Sequence, residues 1–268
     1  MQERHSNRSK YFSEQIYTTR QYVIPYIEKH LLLTPETSVL EIGCGEGGNL
    51  VPFMDLKCRV IGIDISPHKI ELANDFLKDH PHRENLHLFC DDIYLRSDLG
   101  KFDLIILRDV IEHIPNQEMF MEYLKQFLKP SGIVFFGFPP WQNPYGGHQQ
   151  ICISKIFSIL PYSHLLPVPI YKSLLHWFGE KNDTIQTLIE IKETGISIER
   201  FEKILNQQKY VLLSRTFFLV NPNYEVKFRL KPIKQFKIMG SIPVLRNFFT
   251  TAAYYLVALS TSGHNNVK

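Results

Sequence analysis

Five short apolar runs that carry acids or glycines at their ends constrain this chain more than any other feature: SVLEIG (38–43), RVIGIDIS (59–66), LHLFCDD (86–92), FDLIILRD (102–109) and GIVFFGFP (132–139). The first leads through a glycine-rich loop into an expected helix at Asn49–Met54. Ser66-Pro67 opens another that runs to about Asp79, with proline in its favoured first-turn position. Strands alternating with helices in this way specify a mostly parallel sheet covered on both faces. A helical segment over about Tyr11–Leu33, interrupted near Pro25, precedes it. The 268 residues, 44% of them hydrophobic, are enough to bury the core that such a sheet needs. Open α/β sheets bind ligands outside the carboxyl ends of their strands, so the acids and glycines there form the candidate site.

Composition excludes several function classes. Thirty Lys and Arg against 27 Asp and Glu leave a net charge of +3, too small for the electrostatic footprint of a nucleic-acid binder. Cys44, Cys58, Cys90 and Cys152 form no CxxC pair, so neither a zinc site nor a disulfide framework is expected, and no metal ligand is assigned. The opening MQERHSNRSKYF lacks the apolar centre of an export signal, and a cytoplasmic location is expected.

The stretch VLEIGCGEGGNL (39–50) carries the first chemistry. Gly43, Gly45 and Gly48 satisfy GxGxxG, whose glycines permit a tight turn and close approach of backbone to ligand. Asp64, about twenty residues on at the end of the second run, is placed to accept hydrogen bonds from ribose hydroxyls. Together they indicate an adenosine-containing ligand. Both NAD and S-adenosylmethionine qualify at this point.

The segments LEIGCGEGG, IGIDIS, CDDI and FDLIILRDVIEHI, in that order over residues 35 to 140, resemble the class I S-adenosylmethionine-dependent methyltransferases. Asp109–Ile114 (DVIEHI) looks most like the branch containing the ubiquinone and menaquinone biosynthesis enzymes. The resemblance implies a Rossmann-like α/β fold, a seven-stranded, mostly parallel sheet with a terminal antiparallel hairpin, to which this chain would add a helical lid insertion that departs from the minimal pattern. It implies S-adenosylmethionine as cofactor and S-adenosylhomocysteine as product. Glu41, Gly43, Gly45 and Gly47 would surround the methionine part, Asp64 the ribose, and Ile65 the adenine. Asp92 would accept from the adenine amine, with Asp91 the competitor one residue away, while Ile93 offers its backbone N–H. Arg108 and Asp109 would stand beside the sulfonium. An acid such as Glu41 ahead of the loop suits a cationic amine and sulfonium better than a pyrophosphate, which favours this ligand over NAD.

Structural alternatives accompany these assignments. Asp64 and Asp92 could cap helices, and His113, after Glu112, reads as a packing residue before a catalytic one. The loop FPPWQNPYGGHQQ (138–150) follows the fifth run at the functional edge of the sheet. His148 there is the candidate base for an acceptor proton, or a hydrogen-bonding turn residue; Trp141 and Tyr145 are candidate walls for an apolar or aromatic acceptor, or plain turn residues.

Residues 153–179 are apolar but broken by Pro161, Pro167 and Pro169, short of the ~20-residue run that a membrane span needs. They read as short helices forming a lid over the site, or as packing against the sheet. A helix at 197–208 and the strands YVLLSRTFFLV (210–220) and YEVKFRLK (224–231), joined by Asn-Pro-Asn, then complete the sheet as a hairpin. A helix over 242–260 ends the chain, and from Gln207 onward nine Lys or Arg stand against Glu225 alone. Such a tail either packs on the domain or a second copy, giving a homodimer, or rests on anionic lipid head groups.

The expected organisation is an N-terminal helical segment (1–34), a cofactor-binding core (35–140), a lid insertion (141–196), a last helix and hairpin (197–232) and a basic, apolar tail (233–268). The expected activity is methyl transfer to oxygen, nitrogen or carbon of a small, apolar or aromatic acceptor. The alternatives are an NAD-binding oxidoreductase and a non-catalytic module at a membrane or partner surface.

Overall fold

The five apolar runs form parallel strands β1 (Ser38–Ile42), β2 (Arg59–Asp64), β3 (Leu86–Cys90), β4 (Phe102–Arg108) and β5 (Leu128–Phe138) in the computed structural model, which describes residues 7–260. The first six residues of the N-terminal segment and residues 261–268 of the tail lie outside the described residues. The order β3-β2-β1-β4-β5 places the switch of direction between β1 and β4, beside the glycine loop.

Residues alternate between the two faces, as the pleat requires. Val39, Val60, Leu104 and Phe135 pack with Tyr26, Ile27 and Phe53 on one side. Leu40, Ile105, Phe136 and Phe138 pack with Phe120, Leu124 and Phe201 on the other.

The N-terminal segment is α1 (Arg8–Thr18), a π turn (Thr19–Val23) and α2 (Ile24–Ile27). The π turn answers the expected interruption: Pro25 donates no hydrogen bond and its ring clashes with the preceding turn, so the helix widens just before it. Then come α3 (Val51–Asp55), α4 (Pro67–Leu77) and α5 (Gln117–Leu124). The insertion holds α6 (Lys155–Ser158), α7 (Val168–Trp177) and α8 (Asn182–Thr194) around its own core of Cys152, Phe157, Tyr171, Leu175 and Leu188. Helix α9 (Ile198–Gln207) buries Ile198, Phe201, Ile204 and Leu205 along one stripe, and Ser197 caps it by accepting from the Arg200 amide at 3.0 Å.

The last third corrects the expected hairpin. β6 (Tyr210–Val220) does not pair with residues 224–231; Asn223–Phe228 is a helix, α10. A two-residue edge strand β7 (Ile233–Lys234) and short helices α11 (Lys237–Ser241) and α12 (Leu245–Phe248) follow. The expected helix over 242–260 is helical only at α12, and its second half is strand β8 (Ala252–Leu259), which inserts between β5 and β6, antiparallel to both. The sheet therefore has eight strands, in the order β3-β2-β1-β4-β5-β8-β6-β7, where seven were expected. The run AAYYLVAL has no polar alternation because Ala252–Val257 are buried on both faces, so its composition suits helix and central strand alike. No helix among the described residues is long and apolar enough to cross a membrane.

Candidate active site

The loop after β1 is shaped by backbone conformations that side chains resist. Gly43, Gly45 and Gly47 have φ of +72°, +55° and +80°. At Gly43 a Cβ would also lie 2.5 Å from a Val110 methyl. Gly48 serves packing instead, since a Cβ there would meet the Phe12 carbonyl oxygen at 2.6 Å; its bareness seats α1 over the loop.

Asp64 ties the loop to β2. Its carboxylate accepts from the Gly45 amide and from the Ser66 amide, both at 2.9 Å, with Lys69 Nζ at 3.8 Å. These bonds go to the loop and to the Ser66 amide ahead of α4, whose first turn has no side-chain cap, so Asp64 braces the loop and does not cap the helix; a carboxylate with about four acceptor positions retains capacity for ligand hydroxyls. Beside it the Ile65 side chain is 76% exposed, a bare apolar surface just past the carboxyl end of β2. Asp92 accepts from the Tyr94 amide at 3.0 Å and caps the turn that buries Ile93, while Asp91 accepts from the Asp92 amide.

Below the loop lies a buried polar network. Glu41 is fully buried; one carboxylate oxygen accepts from Asn49 Nδ2 at 2.7 Å and the other meets no partner among the described residues. Burial pushes its pKa up to about 8, opposed by the Asn49 hydrogen bond and the Arg108 charge. Arg108 donates to Thr19 Oγ1 (2.9 Å), to Asn49 Oδ1 (2.8 Å) and to Asn223 of α10. It makes no ion pair among the described residues. Local sequence marks Glu41 and Arg108 but not this partnership: Asn223 lies 115 positions from Arg108.

Gly43, Gly45, Asn49, Arg108 and Asn223 border a cleft of about 420 Å³ at the carboxyl edge of the sheet, whereas Glu41 lies beneath it and Asp64, Ile65, Asp92 and Ile93 are not among its lining residues. Its far wall combines the loop after β5 with α10, bringing Tyr145 and His148 opposite Asn223, Tyr224 and Lys227. His148 is half-buried with φ +55°, and its ring meets that of His113 edge-on at 4.8 Å. His113 thus belongs to the cleft wall. Glu112, His113 and His148 each offer a donor atom within 4.8 Å of the others, a cluster with the spacing to bridge a cation that sequence reasoning missed. Glu112 is buried with both oxygens unpartnered among the described residues, so burial and Asp109 hold its carboxyl well above the usual range.

Trp141 does not join the cleft wall. Its amide donates to the Ile196 carbonyl at 2.8 Å, its own carbonyl meets His164 Nε2 at 2.8 Å, and a Cβ on Gly195 would lie 2.6 Å from its ring. It rivets the insertion to the end of β5.

The family profile described as a methyltransferase domain matches residues 15–150. The ubiquinone biosynthesis O-methyltransferase of Coxiella burnetii is 30% identical over 116 residues, covering 42% of this chain and 47% of that protein. The chain thus matches about half the length of that relative. The enzyme of the same name from Rickettsia canadensis is 29% identical over 221 residues, 78% of this chain and 80% of its own. Among solved structures, geranyl diphosphate C-methyltransferase from Streptomyces coelicolor A3(2), bound to Mg²⁺, geranyl diphosphate and S-adenosyl-L-homocysteine, superposes with a TM-score of 0.56 at 14% identity, covering 88% of this chain and 78% of the other. Magnesium protoporphyrin IX methyltransferase from Synechocystis PCC 6803 gives 0.53 at 15% identity, covering 92% and 84%. With the profile spanning half of its residues, from α1 to the loop that carries His148, the chain belongs to the methyltransferase domain family.

Proposed function

We propose that this protein is an S-adenosylmethionine-dependent methyltransferase acting on a small hydroxyl-bearing acceptor. The observation that carries the cofactor is the buried Glu41 carboxyl, one oxygen unpartnered among the described residues, beneath a loop of left-handed glycines. A cationic amine and sulfonium satisfy such a group; a pyrophosphate does not. A second feature counts against a dinucleotide. Phosphates in GxGxxG proteins rest on the N-terminus of the helix that the glycines open, whereas here turns run on to Leu50 before α3 begins at Val51.

S-adenosylmethionine, when bound, supplies an electrophilic methyl group. Glu41 and the glycine loop would hold its amino-acid end, Asp64 the ribose, and Ile65 and the turn at Asp92–Ile93 the adenine. What remains for the chain is to hold the acceptor in line, exclude water and take its proton. Tyr145 and Pro139 offer an apolar wall, and Asn143, Asn223 and Lys227 offer polar contacts, which fits an aromatic or apolar body with polar substituents. Oxygen as the acceptor atom follows the names of the relatives. His148 takes the hydroxyl proton. The unpaired thiols of Cys44, Cys58, Cys90 and Cys152 suit a reducing cytoplasm, and the small net charge argues against nucleic acid.

Calorimetry should give S-adenosylhomocysteine binding and none for NAD; NAD-selective binding would end this reading. On a catechol probe, His148→Ala should lower kcat about 10²-fold or more while cofactor affinity holds. Dialysis against EDTA separates two roles of the cluster: turnover that persists marks His148 as the base, and turnover restored only by added Mg²⁺ marks it as a cation ligand.

A further inference from the structure

The segment between α10 and α12 has no role in the cleft chemistry, yet its surface is unusual. Residues 226–242 carry Lys227, Arg229, Lys231, Lys234 and Lys237 and no acid. Between these cations the apolar side chains face solvent: Phe228 is 51% exposed, Phe236 64% and Ile238 80%, with Leu230 and Ile233 near half. Arg229, Lys231, Lys234 and Lys237 make no ion pair among the described residues. Behind the segment a separate cavity of about 520 Å³ is lined by Lys29, Lys231 and Lys234 together with Tyr22 and Tyr26. Its one acid, Glu225, accepts a hydrogen bond from the Tyr22 hydroxyl.

We propose that residues 226–242 form a docking face for an anionic lipid bilayer, with Phe236 and Ile238 entering the head-group boundary and the lysine-lined cavity receiving a lipid phosphate. Basic residues interleaved with exposed aromatic and aliphatic ones combine electrostatic attraction with apolar burial. Blunting of the sheet edge accounts for Pro232 and the lysines flanking β7 but does not call for solvent-facing Phe236 and Ile238. A second copy on this face would oppose Arg229, Lys231, Lys234 and Lys237 to the same four cations, a repulsion that a bilayer of opposite charge turns into attraction. Helix α10 links the two surfaces, giving Tyr224 and Lys227 to the cleft and Phe228 to the face, so docking sets the cleft mouth at the lipid boundary. Delivery of an apolar acceptor from lipid rests on the reading of that cleft; docking itself does not.

The test is co-sedimentation of the full chain with phosphatidylcholine vesicles, with and without phosphatidylglycerol. Binding is expected to the anionic vesicles alone and to weaken as salt rises. The combined Lys231→Glu, Lys234→Glu and Lys237→Glu variant should bind at least about tenfold more weakly, and so should Phe236→Ser with Ile238→Ser. Both variants should keep wild-type affinity for S-adenosylhomocysteine, which shows that they fold. Absence of binding to anionic vesicles, or binding that both variants retain, overturns the proposal. So does a dimer in solution that either variant converts to monomer. Vesicle binding by a protein that ignores S-adenosylhomocysteine would sink the cofactor reading and leave the docking face standing.

Discussion

At the scale of single residues, Glu41 is the most informative group in the site. Burial outweighs the Asn49 hydrogen bond and the Arg108 charge and raises its pKa to about 8, so the carboxyl is mostly protonated at neutral pH until a ligand cation faces it. Ionisation is the unfavourable change in the unliganded fold, so the carboxyl's contribution to stability is fully present below its ordinary value of 4.5 and is lost as pH rises through about 8. A cationic ligand reverses the preference and draws the carboxylate out, so cofactor binding near pH 7 should release about one proton, falling toward zero above pH ~9. Calorimetry with S-adenosylhomocysteine in buffers of differing ionisation enthalpy measures this directly, and Glu41→Gln should abolish the buffer dependence. A wild-type enthalpy independent of buffer would remove Glu41 from the ligand's amine. Glu41, Gly43, Gly45 and Asp64 were legible in the sequence because their work is local, a turn and an acid at the ends of adjacent strands. The Arg108–Asn223 bond was not, because only the folded path of the last third brings α10 to β4.

Elements of the insertion carry a different signal. His164 is buried with Nε2 against the Trp141 carbonyl and Nδ1 unpartnered among the described residues, and burial lowers its pKa to about 4. A depressed histidine contributes stability above its ordinary pKa of 6.5 and loses it as pH falls through 4, a window worth roughly 3 kcal/mol at most. The insertion should therefore loosen from the end of β5 on acidification. His164→Gln, whose amide can still donate to the Trp141 carbonyl, should show a flatter decline of Tm between pH 7 and 4 than the wild type. Equal declines would mean that His164 does not govern the insertion. Sequence pattern located the insertion, since its prolines and apolar residues stand out. It could not say that Trp141 faces Gly195 and His164 and not the acceptor. Local pattern misled outright at NYEVKF, whose alternation suits a strand although the turn Asn221-Pro222 starts a helix: the Tyr224 amide donates to the Asn221 carbonyl at 2.8 Å.

For the whole molecule, the decisive element is the one whose type the sequence concealed. The parallel half of the sheet was readable because each strand there is followed by its own crossover segment. β8 closes the sheet from the far end of the chain, and no short-range signal ties Tyr254 to Gly137 or to Thr216. Position shows what this closure does. β8 pairs with β5, Ala253 opposite Phe138, and with β6, Ala252 opposite Phe218, and its side chains reach both cores, Leu256 on one face and Tyr255 on the other. Tyr255 also donates to Glu202 of α9 at 2.9 Å. Without β8, both β5 and β6 would expose unpaired edges and the aromatic faces of Phe136, Phe138 and Phe201, a template for aggregation. Truncation after Thr251 should therefore yield insoluble protein, even though it leaves every assigned cofactor residue in place. Leu256→Ala, a smaller insult at a fully buried site, should fold but lose about 2–5 kcal/mol in urea unfolding followed by circular dichroism, a large share of a domain's ~5–15 kcal/mol. A truncated chain that stayed soluble and bound S-adenosylhomocysteine normally would show that the domain folds without β8 and that β8 is an addition to it instead of its closing member.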